Sequence, residues 1–163
     1  MRGVILMCLH EYARATEQFM AAAEFNPQSA GPHGMLALVY WVERKIPEAL
    51  SEERTSQILA SSPERLPTLE ELGAVYATSG FTAASRRYAQ YKERAYHGDE
   101  DEAYAIATQY GIAGDKEKAL EWLNRASGLK RRNPWFMLRA PAFDFMRADP
   151  RFQDLMHHMG LPP

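Results

Sequence analysis

Few side chains in this 163-residue chain could carry chemistry: five histidines, one cysteine and three charge runs. His157 and His158 are adjacent, so on a helix they point roughly 100° apart and cannot share a metal ion without ligands from elsewhere. His10, His33 and His97 fall in other elements, and all five read as surface residues. Cys8 has no neighbouring histidine and no Cys-x-x-Cys partner, which makes it a small core residue rather than a nucleophile. Glu52-Glu53-Arg54, Asp99-Glu100-Asp101-Glu102 and Lys130-Arg131-Arg132 read as solvated helix ends. The acidic run lies at an expected helix N-terminus and the basic run just past an expected C-terminus, where the helix dipole favours those signs. The chain has no glycine-rich phosphate loop, no Gly-x-Ser-x-Gly elbow and no His-Glu-x-x-His. The expectation is a protein without catalytic residues, metal or cofactor.

Bulk composition narrows the class further. With 46% hydrophobic and 25% charged residues, the chain carries enough apolar material for one soluble domain. A formal net charge of −2 and a pI near 6.2 argue against general binding to nucleic acid or to an anionic membrane, both of which need a positive field. A single cysteine forms no internal disulfide, so a reducing cytoplasm is the expected location. The apolar start, Met1 to Leu9, is short, lacks a small-residue cleavage site and runs into His10-Glu11-Tyr12, so it reads as helix rather than signal peptide. The run from Met35 to Val42 is too short to span a bilayer.

The elements that must position any site follow from a stride. Ala15, Ala49, Ser85 and Ala119 are spaced 34, 36 and 34 residues apart, a period that means stacked helical hairpins. Ahead of the last three anchors the same pattern recurs: Leu36-Ala37-x2-Tyr40, Leu72-Gly73-x2-Tyr76 and Ile106-Ala107-x2-Tyr110. Helices approach closely only where a side chain is small, so Ala37, Gly73 and Ala107 are read as the contacts between the two helices of a hairpin. Tyr40, Tyr76 and Tyr110 fill the space between hairpins. Helices are expected at about 11–25, 31–44, 47–60, 68–79, 82–96, 100–113 and 116–129. Asn26-Pro27 stops the first, and Pro47 is tolerated in a first turn. Thr68-Leu69-Glu70-Glu71 reads as a capping box. Beyond Lys130-Arg131-Arg132 the pattern changes: Asn133-Pro134 and Asp149-Pro150 are N-cap-plus-proline starts, predicting short helices near 134–139, 142–147 and 150–159 closed by Gly160. Trp135, Phe136, Phe143, Phe145, Met146, Phe152, Leu155 and Met159 are dense enough to cover the open end of a stack.

Over residues 1 to about 131 these slots resemble the tetratricopeptide-repeat family. That resemblance implies an all-α, right-handed solenoid of three full repeats and one partial one, with units at about 1–29, 30–65, 66–99 and 100–131 and a helical cap at 132–163. Ala15, Ala37, Tyr40, Ala49, Gly73, Tyr76, Ala107, Tyr110 and Ala119 are then its packing positions. The ending Asp149-Pro150-Arg151-Phe152-Gln153-Asp154-Leu155, with Gly160-Leu161-Pro162, looks like the close of such regions in large bacterial regulatory proteins, where they follow a winged-helix, cyclase or Ser/Thr-kinase module.

In this family the first helix of each unit lines a concave face, which here implies a groove of Met7, Leu38, Trp41, Val42, Glu70, Ala74, Ala77, Tyr104, Thr108 and Ile112, with Val4, Cys8, Gly34 and Thr78 beside them. Such a surface is apolar and suits a hydrophobic helix or extended peptide. Met35, Glu71 and Ala105 stand where a carboxylate clamp would need Asn or Arg, so that subtype is rejected. Trp41 is the expected hot spot, the alternative being that it packs internally. Projected back, the register puts Gly3 in a small slot and Leu6 in a tyrosine slot, and the first hairpin reads either as truncated or as a native start with a short helix. An incomplete hairpin would expose Ile5, Leu6 and Phe19 and allow two copies to pair. The function expected is a protein-interaction or regulatory module, with two alternatives: a homo-oligomerisation module assembling through its exposed N-terminal hairpin, or a C-terminal fragment of a kinase, cyclase or winged-helix regulator. Its partner is expected to be a protein or peptide.

Overall fold

A computed structural model describes residues 2–61, 66–128 and 137–159. The protein is all-helical, with no strand among the described residues. In chain order the helices are α1 (Arg2–Cys8), α2 (Tyr12–Phe25), α3 (Ala30–Val42), α4 (Ile46–Leu59), α5 (Leu66–Arg94), α6 (Glu100–Ile112) and α7 (Lys116–Gly128). Two 3₁₀ turns, Met137–Arg139 and Pro141–Met146, lead to α8 (Pro150–His158). The chain forms two compact units, residues 1–81 and 82–163.

Three helix pairs, α1–α2, α3–α4 and α6–α7, are joined by the same turn. His10, Arg44 and Gly114 take left-handed backbone, with φ of 61°, 62° and 74°. At each, the residue itself donates to the carbonyl three residues before it and the next residue donates to the carbonyl five residues before it: His10 to Met7 and Glu11 to Leu6, Arg44 to Trp41 and Lys45 to Tyr40, Gly114 to Gly111 and Asp115 to Tyr110, at 2.9–3.2 Å. This is a Schellman closure, which satisfies carbonyls that a helix end leaves open. The carbonyl of the residue after the left-handed one then starts the following helix, accepting from Ala15, Ala49 and Ala119. Residues 10, 44, 80 and 114 each stand five before an anchor of the stride, and the anchors Ala15, Ala49, Ser85 and Ala119 are completely buried. Glycine takes this backbone without a Cβ penalty; His10 and Arg44 take it at a cost of about 1–2 kcal/mol each, offset by the packing on either side.

In unit 1, α1 lies against α2, α2 against α3 and α3 against α4. Leu6, Met7, Ala15, Phe19, Leu36 and Val39 form a buried cluster. A Cβ on Gly3 would stand 2.7 Å from the Phe19 ring, so a side chain there would force that ring to shift. The mouth of the second hairpin is held by Ser56 Oγ donating to the Ala30 carbonyl (3.1 Å) and by His33 Nδ1 against Glu52 Oε2 (2.7 Å).

In unit 2, α6 and α7 pack together and the tail completes their core. Tyr104, Ile106, Ala107, Tyr110, Trp122 and Leu123 share one buried cluster with Leu138, Phe143, Met146, Phe152, Leu155 and Met156. Asp99 caps α6, accepting from the amides of Asp101 (2.8 Å) and Glu102 (3.2 Å), and Glu102 accepts in return from the His97 amide (2.9 Å). Asp149 caps α8 through the Arg151 amide (3.0 Å), ahead of Pro150.

Several expectations need correction. Thr68 does not cap a helix: α5 already runs from Leu66, with Pro67 in its first turn, so the capping-box residues are helical. The segment near 142–147 is a 3₁₀ turn from Pro141, and Phe145 is half exposed rather than part of the cover. Gly73 makes no close approach, because a Cβ there would meet only Leu50 Cδ1 at 3.8 Å, an ordinary contact. Trp135, Phe136, Asn133-Pro134 and Gly160 lie outside the described residues.

Candidate functional site

The residues expected to line a groove divide by burial. In unit 1, Glu70, Ala74, Ala77 and Thr78 are exposed, and Leu38 and Val42 are partly so. Steps of four, three and one place Glu70, Ala74, Ala77 and Thr78 on one face of a helix. Glu70 is loosely paired with Arg54 (3.7 Å), and the Thr78 hydroxyl donates to the Ala74 carbonyl (3.0 Å), so this face offers small apolar surface with few unspent polar groups. Met7 and Trp41 are instead 3% and 1% exposed, which removes both from the groove. The Trp41 indole packs tilted against Phe81 with ring centres 6.3 Å apart, and the Arg44 guanidinium covers that phenyl at 4.8 Å. The reason is geometric: Trp41 stands on α3 just before the turn at Arg44, where a large ring fills the hairpin's closed end.

In unit 2 two of the three expected groove residues are buried, and Tyr104 meets the chain's own tail. Tyr104 is fully buried and Thr108 nearly so, with Ile112 partly exposed. The Tyr104 hydroxyl lies 3.9 Å from Met159 Sδ, and burial, followed by the nearby Glu100 charge, pushes the phenol up to about 12. Thr108 turns its hydroxyl onto the Tyr104 carbonyl (2.8 Å). A Cβ on Gly111 would stand 2.5 Å from the Ala142 carbonyl oxygen, so the tail backbone rests directly on α6. Tyr104 and Thr108 are therefore core residues. Of the residues expected at a self-association edge, Leu6 and Phe19 are buried in the unit 1 core and Ile5 is 53% exposed. Among the packing positions, Ala15, Ala37, Ala49, Ala107 and Ala119 are fully buried and Tyr110 is 2% exposed, while Tyr40, Gly73 and Tyr76 are partly exposed.

The perturbed titratable groups serve helix packing. Tyr110 donates to Glu93, and Lys118 lies 3.2 Å from the other Glu93 oxygen. Burial alone would raise the Glu93 carboxyl, but these hydrogen bonds and the Lys118 charge hold it below its ordinary value. On the tail side, Arg151 reaches both oxygens of Glu117 at 2.8 Å and both of Asp149 at 3.0–3.1 Å, and Lys116 adds a contact to Asp149 at 3.1 Å. This network joins the N-terminal ends of α7 and α8. Sequence reading found the Asp149 cap but not its partners, because nothing in the spacing pairs residue 117 with residue 151. An open cleft of about 410 Å³ beside it is lined by Glu117, Lys118, Leu120, Glu121, Asn124 and Arg151, whose charges already pair with one another. Among the described residues, no three His, Cys, Asp or Glu side chains are grouped to hold a metal ion, and no helix is long and apolar enough to cross a membrane.

Hydrogen bonds from Arg151 and then Lys116 hold the Asp149 carboxyl well below the usual carboxylate range. A carboxyl depressed in the folded state contributes stability that is fully present above its unfolded value near 3.8 and is lost as pH falls towards the folded one. Asp149→Asn keeps a side chain able to cap α8, so the denaturation midpoints of variant and parent should differ at pH 6, with the difference shrinking progressively as pH falls below 3.8 towards the lower folded value. A difference that persists unchanged at acid pH would show that the network adds nothing beyond the cap.

Comparison with family models, with curated proteins and with solved structures found no match to this chain.

Proposed function

We propose that this chain is a tetratricopeptide-type helical-hairpin array acting as a non-catalytic protein-interaction module, the regulatory or scaffolding part of a bacterial, cytoplasmic protein. The observation that carries the reading is the recurrence of the left-handed turn residue at 10, 44 and 114, each with the same pair of closing hydrogen bonds and each five residues before a buried small anchor. Repeated hairpins of this kind present the first helix of each unit along one side, and such surfaces bind helices or extended segments. With Trp41, Met7, Tyr104 and Thr108 buried, the recognition surface we propose is the unit 1 face of Ala74, Ala77 and Thr78, with Glu70 on the same helix face. Small side chains there let a partner backbone come close. The occupant that suits it is an apolar helix or strand with a basic residue placed to meet Glu70.

The test is selection of binders from a displayed library of helical and extended peptides, followed by titration against Ala74→Arg/Ala77→Arg. Both positions are exposed on a helix, where arginine is a good helix former, so the variant should fold as the parent does. Affinity for the selected peptide should fall about tenfold or more, the equivalent of about 1.4 kcal/mol. Equal affinity for parent and variant would remove this face from the proposal.

A further inference from the structure

Gly80 occupies the register position of His10, Arg44 and Gly114, yet its backbone differs from a left-handed turn. Its φ is 78°, close to theirs, but its ψ is −175°, in a region that glycine alone takes readily. Residues on both sides of it are helical, so one torsion separates the observed conformation from the turn used in the other hairpins. Beyond its chain neighbours and its own helix backbone, no described atom lies within 4 Å of the place a Cβ would take, so a side chain added here would meet open space. The helix leading into it is also weakened. Thr78 turns its hydroxyl onto the carbonyls of Ala74 and Val75 (3.0 and 3.4 Å) and lies 3.4 Å from the Ser79 hydroxyl, a pattern that competes with the helical ladder and bends helices. The division between the two compact units falls one residue on, between Phe81 and Thr82.

We propose that Gly80 is a two-state turn, exchanging between the extended glycine-only backbone and the left-handed Schellman form of the other three register positions, and thereby a conformational switch point built into the repeat. Glycine is required here because it alone takes both forms at little cost. Asparagine tolerates the left-handed form but not the other. The proposal does not depend on what the protein binds.

The experiment is backbone amide relaxation dispersion on the isotope-labelled full chain, which reads exchange on the microsecond-to-millisecond scale. The wild type should show exchange at residues 79–82 and a flat profile at the Gly114 turn, residues 112–116. Gly80→Asn should reduce the exchange contribution at 79–82 about fivefold or more by depopulating one state, whereas Gly114→Asn should leave it unchanged. A flat wild-type profile at 79–82, or exchange that survives in G80N, would overturn the proposal. A G80N chain that cannot fold would do so as well, since it would mean the left-handed form is inaccessible there.

Discussion

Trp41→Ala is expected to lower the stability of unit 1 by about 3–5 kcal/mol, the range for removing a large aromatic ring from a packed core. The indole is 1% exposed and packs tilted against Phe81, with Arg44 covering the same phenyl. Deleting it leaves a cavity at the closed end of the α3–α4 hairpin and takes the support from beneath a strained left-handed residue, Arg44. Denaturant titration followed by circular dichroism reads the loss, and Arg44→Gly in the same background tests the second part, since relief of backbone strain should offset some of the cost. A change below about 1 kcal/mol would place the ring at a surface after all and restore it as a recognition residue.

Gly111→Ala and Gly73→Ala should have opposite signs although both replace a helical glycine by the best helix former. A Cβ at residue 111 would meet the Ala142 carbonyl at 2.5 Å and the Phe143 ring at 3.2 Å, and a backbone oxygen cannot swing aside as a side chain can. Overpacking of this kind costs about 1–3 kcal/mol, more than the roughly 1 kcal/mol gained in helix propensity. At residue 73 an added Cβ would meet, among the described residues outside its own helix, just Leu50 Cδ1 at 3.8 Å, so the propensity gain stands alone and the variant should be slightly more stable. Thermal melts of the two variants decide it. If Gly111→Ala melts above the parent, the tail does not rest on α6 as described.

Much of the local architecture was legible because it is local chemistry. Asn26-Pro27, Gly114-Asp115 and Asp149-Pro150 mark helix ends through proline's missing donor, glycine's free φ and an aspartate's capping oxygen, and helices end or begin beside each of them. The anchors at 15, 49, 85 and 119 set where each turn had to close. The left-handed conformations of His10 and Arg44 carry no such residue signature. Sequence reading did not anticipate them; they share with Gly114 a place five residues before a buried small anchor.

The sequence by itself determined the helical class and the positions of the buried small anchors, because each follows from spacing along one chain. Only the tertiary structure decided which apolar side chains remain available. An inward-packing face and a ligand-lining face of one helix lie within a few residues of each other, and on α3 and α6 both are apolar, so periodicity could not assign Trp41 or Tyr104 to one or the other. The assignment came from Phe81, forty residues away from Trp41, and from Met159, fifty-five away from Tyr104. Contacts at such separations depend on how elements meet in space, and no spacing rule along the chain encodes them.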